Sequence, residues 1–114
     1  MDDCIFCKLA NHQIPTSIVY EDDDFCAFKD ANPQAPVHVL VVPKRHFANV
    51  ADDVPTEVLG GLLKTAVKVA EICGIRDKGF RLIMNTGADA GQTVMHLHCH
   101  VLGGVDMGEG MLPR

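Results

Sequence analysis

Residues 92–104 read QTVMHLHCHVLGG, and within them His96, His98 and His100 alternate with Leu97, Cys99 and Val101. Side chains of an extended strand point alternately to its two faces. The alternation therefore predicts a strand over Met95–Leu102 with two unlike faces. Leu97, Cys99 and Val101 belong against a core, and the three imidazoles line the opposite surface about 6.5–7 Å apart. The chain holds six histidines and spends three of them in five positions. Near neutrality neighbouring imidazoles partly charge and repel one another, which makes the row a poor choice for a merely solvated face. Metal binding, or acid–base and nucleophilic chemistry, remain. The outer two backbones lie about 13–14 Å apart, so the whole row does not converge on one ion. A row laid out along a substrate fits better.

Around this segment the pattern is that of an α+β fold on an antiparallel sheet, as one domain over residues 1–114. Cys4–Ala10 forms a short helix with Ile5, Phe6 and Leu9 on one side, ended by Ile14-Pro15. Ser17–Tyr20, Phe25–Phe28 and Val37–Val42 (VHVLVV) read as strands, the last closed by Pro43. Pro55–Cys73 is the long helix, with Asp53 near its cap and Gly74 as its stop. Leu59, Leu62, Leu63, Ala66, Val67, Ala70 and Cys73 follow its helical spacing. Within it Gly60-Gly61 either costs about 1 kcal/mol per glycine or lets another helix come close. Phe80–Asn85 is a strand, and Thr86–Gln92 a glycine-bearing loop.

The chain carries a formal charge of −5 with its acids in short runs, such as Glu21–Asp24. That surface repels a polyphosphate backbone and argues against a nucleic-acid polymer as partner. It leaves room for a small anion in a locally positive pocket. No apolar run approaches the ~20 residues that span a bilayer, so no membrane partner is expected. Five cysteines, only Cys4 and Cys7 in a close motif, do not form a disulfide framework. A reducing, cytoplasmic setting fits them. Cys26, Cys73 and Cys99 read as packing residues, and His12 as a surface turn residue. Cys4-x-x-Cys7 is half of a zinc site, a redox pair, or two packed helix thiols.

The stretch HLHCHVL resembles the signature of the histidine triad superfamily, three histidines alternating with apolar residues. CIFCKLANHQIP, FCAFKDANPQAPVHVLVVPKRH and RLIMNTGADAGQTVMHLHCHVLGG are similar to its N-terminal, central and C-terminal segments, so the likeness spans almost the whole chain. The nearest branch is that of the Hint-like purine nucleoside phosphoramidases, in a bacterial type with a Cys-x-x-Cys pair. The resemblance implies a five-stranded antiparallel sheet with a short N-terminal and a long central helix. It also implies a homodimer, paired through the long helix and the fourth strand into a ten-stranded sheet.

It further implies hydrolysis of purine nucleoside 5′-phosphoramidates, of the AMP-amine or AMP-lysine type. His98 is the implied nucleophile, forming a covalent nucleotidyl-histidine that water cleaves to nucleoside monophosphate. For that, His98 must be neutral, with one ring proton fixed on a backbone carbonyl. A cationic His100 would stabilise phosphoryl charge and protonate the departing amine, and His38 either joins a proton relay or is a buried structural histidine. By resemblance Asn85, Gly91, Gln92, Thr93 and Val94 surround the phosphate, Asp30 accepts from the ribose hydroxyls, and Ile5, Phe6, Leu9 and Phe28 form the base slot. Cys4, Cys7, His46 and His96 would hold one structural zinc, which takes His96 out of the chemistry. The tail, GGVDMGEGMLPR, has no tryptophan, and Val105 stands where relatives are often basic. Two other activities fit the same residues: a dinucleoside polyphosphate hydrolase of the Fhit type, and a zinc-stabilised nucleotide-binding protein without turnover.

Overall fold

A computed structural model describes residues 4–112. The strands are β1 (Ile18–Glu21), β2 (Phe25–Lys29), β3 (Val37–Pro43), β4 (Phe80–Ile83) and β5 (Cys99–Gly103), with helices α1 (Ile5–Ala10) and α2 (Thr56–Ile72). They form one five-stranded sheet in the order β1-β2-β3-β5-β4, antiparallel at every pairing. No helix among these residues is long and apolar enough to cross a membrane.

Alternation along VHVLVV divides the core in two. Val39 and Val41 point to the face covered by α2, where they meet Leu62, Ala66, Val69 and Ala70 together with Cys99 and Val101. Leu40 and Val42 point to the other face and join Cys26, Phe28 and α1's Phe6 and Ala10. The register sets Leu40 opposite His100 and His38 opposite Leu102. His38 and His100 therefore lie on the α1 side of the sheet. The α2 face carries the larger core.

Several elements differ from their predicted extent. The last strand begins at Cys99 rather than Met95. The first two triad histidines lie upstream of it, because β3 pairing stops at Val41↔Cys99 and β4 pairing at Ile83↔His100. Beyond that point the Leu97 amide bonds instead to the Phe47 carbonyl at 2.6 Å. His96 is fully buried rather than on an outer surface. Phe80–Ile83 is shorter than the predicted Phe80–Asn85. α1 ends at Ala10, capped by Asn11, before Ile14-Pro15 is reached. At α2 the cap position is Pro55 with no side-chain hydrogen bond, so Asp53 does not cap it.

The buried stripe of α2 is Leu62, Thr65, Ala66, Val69 and Ala70, while Leu63 is 42% exposed. A Cβ on Gly61 would come within 2.6 Å of the Phe25 ring, whereas one on Gly60 meets nothing within 4 Å. Within the chain, the close approach at this glycine pair is that of the Phe25 ring to Gly61. Gly60→Ala is expected to gain up to ~1 kcal/mol from helix propensity. Gly61→Ala should lose ~1–2 kcal/mol, because overpacking Phe25 outweighs the same gain. Equal melting temperatures for the two variants would contradict this packing.

Candidate active site and metal-binding cluster

A six-residue helix is too short to persist on its own in water, so α1 must be held by its contacts. Two kinds are present. Phe6 packs edge-on against Phe28, with ring centroids 5.5 Å apart, and against His98 at 4.9 Å and 90°. Cys4 and Cys7, at its start, reach His46 and His96. The Cys4 Sγ lies 3.2 Å from His96 Nδ1, and Cys7 Sγ lies 3.2 Å from His96 Nδ1 and 3.3 Å from His46 Nδ1.

All four donor atoms lie within 4.8 Å of one another. A tetrahedral zinc with Zn–S near 2.3 Å and Zn–N near 2.0–2.1 Å needs donor separations of about 3.3–3.8 Å. The separations among Cys7, His46 and His96, and from Cys4 to His96, are 3.2–3.3 Å, within a few tenths of an ångström of that range. The donor chemistry fits as well. A carbonyl only accepts, so the 2.9 Å contact from His96 Nε2 to the Pro43 oxygen puts the ring proton on Nε2. The Nδ1 lone pair is left facing the cluster, the orientation a metal ligand needs. Burial, helped by His46 and His98, lowers the His96 pKa to about 4, so the ring is neutral at pH 7. Burial and the neighbouring Cys4 push the Cys7 thiol up to about 12, so a thiolate there needs a cation beside it.

The same carbonyl logic fixes His98. Its Nδ1 lies 2.6 Å from the His96 oxygen and must donate to it. The proton is held on Nδ1, and Nε2 keeps its lone pair. Burial lowers the pKa of His98, which favours the neutral ring. His100 lies beside it, with centroids 5.0 Å apart.

A third chain of bonds fixes His38 and His100. The Gln34 amide donates to His38 Nδ1 at 3.0 Å, so a neutral His38 carries its proton on Nε2. That nitrogen is 2.8 Å from His100 Nδ1 and 3.4 Å from Asp30 Oδ2. His38 therefore donates to His100 Nδ1, and His100 presents an Nε2–H. His38 is buried and hydrogen-bonded on both ring nitrogens, an arrangement that suits a structural histidine and a relay alike. Burial, with His98 and His38 beside it, lowers the His100 pKa to about 4 and holds the ring neutral, not cationic, in the free protein. Asp30, His38 and His100 also lie within metal-binding distance of one another. The Gln34 bond disfavours an ion there, because it commits the His38 Nε2 lone pair to a proton.

These groups open into a cavity of about 550 Å³, which His98 and His100 line together with Phe28, Asp30, Asn85, Gly91, Thr93 and Val94. Ile5, Phe6, Leu9 and Gln92 also contribute to its wall. Every residue assigned from the resemblance to base, ribose or phosphate therefore meets in one pocket. Gly91 adopts φ +79°, a left-handed conformation that glycine takes without a Cβ clash. Among the described residues the Thr93 and Val94 amides have no hydrogen-bond partner. The Gln92 side chain is already spent: its oxygen accepts from the Gly87 amide, and its nitrogen donates to the Ala48 and Val94 carbonyls. Sequence reasoning passed over Pro15, Thr16, Lys29, Ala31 and Leu40, which also line the pocket. It passed over the Gln34 amide as well. Of these only Leu40 carried a signal, through its parity with His38.

The HIT domain family matches residues 11–107. The chain belongs to the HIT domain family. The purine nucleoside phosphoramidase of Escherichia coli K12 is 44% identical over 110 residues, covering 94% of this chain and 92% of that protein. A HIT family hydrolase from Clostridium thermocellum superposes with a TM-score of 0.93 at 51% identity, covering 98% and 99% of the two chains. A histidine triad protein from Clostridium difficile gives 0.91 at 44% identity, covering 97% and 98%. The HIT fold is thus the one observed, and the chain is a HIT-family hydrolase.

Proposed function

We propose that this HIT protein hydrolyses purine nucleoside 5′-phosphoramidates through a covalent nucleotidyl group on His98. The observation that carries the reading is the 2.6 Å bond from His98 Nδ1 to the His96 carbonyl, which leaves the Nε2 lone pair free for attack in a ring lining the pocket. In the reaction, His98 Nε2 forms a bond to phosphorus as the phosphorus–nitrogen bond breaks. The departing amine needs a proton. The negative charge of bound phosphate favours protonation nearby, so the His38–His100 pair takes up a proton with the substrate and delivers it through His100 Nε2. Water then attacks phosphorus, returns its proton to the pair, and frees nucleoside monophosphate and His98.

The remaining residues bind and orient. Phe6, Phe28, Ile5 and Leu9 offer an apolar slot to a flat purine, and Asp30 accepts from the ribose diol. The Thr93 and Val94 amides, beside Asn85 and the bare Gly91 backbone, face phosphate oxygens. Gln92 holds that loop in shape. Cys4, Cys7, His46 and His96 would hold a structural zinc, which supplies a rigid tie between α1 and the backbone carrying His98. The reading includes a homodimer, for which the exposed Leu63 and Ile72 on α2 and the open edge of β4 are the available surfaces.

A substrate panel tests the activity. Wild-type protein should turn over adenosine 5′-phosphoramidate faster than diadenosine polyphosphates. His98→Ala should abolish turnover, and His100→Ala should slow it by ~100-fold or more. Faster polyphosphate cleavage would favour the Fhit-type activity, and undiminished turnover in His98→Ala would contradict the mechanism.

Elemental analysis tests the metal. One zinc per chain is expected. Cys4→Ser combined with Cys7→Ser should remove it and lower the melting temperature, by about 4–8 °C for each kcal/mol lost. Nucleotide binding should weaken while chemistry persists. A zinc-free wild type whose melting temperature the double substitution leaves unchanged would reject the site.

A further inference from the structure

The His38–His100 chain contains a conflict that the proposed reaction must resolve. In the free protein each contact pairs one donor with one acceptor: Gln34 N–H to His38 Nδ1, then His38 Nε2–H to His100 Nδ1. When the pair takes up a further proton, His100 carries hydrogens on both nitrogens. Its Nδ1–H then faces the His38 Nε2–H across 2.8 Å, and neither ring offers a lone pair. His38 cannot relieve this by shifting its own proton to Nδ1, because the Gln34 amide occupies that side. A buried donor left without an acceptor is costly, and His38 is 6% exposed.

One acceptor is within reach. Asp30 Oδ2 lies 3.4 Å from His38 Nε2, and the other oxygen of the carboxylate is held by the Asn32 amide at 2.8 Å. We propose that Asp30, besides accepting from ribose, is a positioning residue for the leaving-group proton: it takes over the His38 Nε2–H bond when His100 becomes doubly protonated. Proton balance is kept. The extra proton enters with the anionic substrate, leaves on the amine, and is restored by the attacking water. This role rests on the reaction proposed above.

The two roles of Asp30 separate on a substrate with no diol to bind. With 2′,3′-dideoxyadenosine 5′-phosphoramidate, a purely ribose-binding Asp30 has nothing left to contribute. A positioning Asp30 still does. Asp30→Asn keeps the shape and an oxygen for the Asn32 amide, but turns an NH₂ toward His38. It is expected to lower kcat on the dideoxy substrate by about tenfold or more, the scale of removing an orienting partner, with little change in KM. In a His38→Ala background the same substitution should have no further effect on kcat. An unchanged kcat for Asp30→Asn on the dideoxy substrate would overturn the positioning role while leaving the proposed function intact. Absence of turnover by wild-type protein on adenosine 5′-phosphoramidate would overturn both.

A measurement on unsubstituted protein guards against a misfolded variant. With ¹⁵N-labelled histidine and saturating AMP, His100 should show protons on both nitrogens at pH 7 while His38 keeps its Nε2–H. A neutral His100 in that complex would equally overturn the proposal.

Discussion

His96 is the residue on which the site depends, because three of its polar groups hold three different parts of the structure. Its Nδ1 faces the Cys4–Cys7–His46 cluster, its Nε2–H is anchored on the Pro43 carbonyl, and its own carbonyl holds the His98 proton. Ring and backbone act in sequence. The first bond ties α1 to the site, the second fixes the depth of the ring against the end of β3, and the third selects the tautomer of His98. A fully buried imidazole cannot leave such partners without a desolvation penalty, so the arrangement is stiff. Because Phe6 packs on His98 from the tied helix, α1 and the His98 ring are held in one frame.

The second constraint is the division of labour between the faces of the sheet. α2 and thirteen closely packed residues supply the larger core on one side. The other side has a cluster of only six buried hydrophobic residues around α1, and carries His38, His100 and a pocket. Burial also tunes the chemistry. It suppresses charge on His96, His98 and His100 together, so three close histidines coexist without the repulsion that a wet surface would impose. In the proposed reaction, the charge of a bound phosphate would reverse that preference at the point where a proton is required.

Much of this was legible in the chain. VHVLVV read as a strand, and the parity of Leu97, Cys99 and Val101 correctly assigned them to the core. The resemblance brought Asp30, Asn85, Gly91, Thr93 and the base-slot residues to what proved to be one pocket, and Cys4, Cys7, His46 and His96 to one cluster. What the sequence concealed was set by tertiary partners. Period-two alternation runs from Leu97 to Val101 whether or not a neighbouring strand is there to pair, so the start of β5 at Cys99 had no local signal. The glycine pair announced a close approach, but only the packing of Phe25 showed which glycine and against what. The neutral state of His100 follows from burial and from the His38 tautomer. That tautomer is fixed by the Gln34 backbone amide, a group that no side-chain pattern reveals.

The central claim is a transient bond between His98 and phosphorus, and acid-quench mass spectrometry on the millisecond scale tests it most directly. With adenosine 5′-phosphoramidate in excess, the peptide containing His98 should carry one adenylyl group, formed as fast as the amine is released and lost as AMP appears. Amine and AMP released together in a single turnover, with no modified peptide at any time, would contradict it.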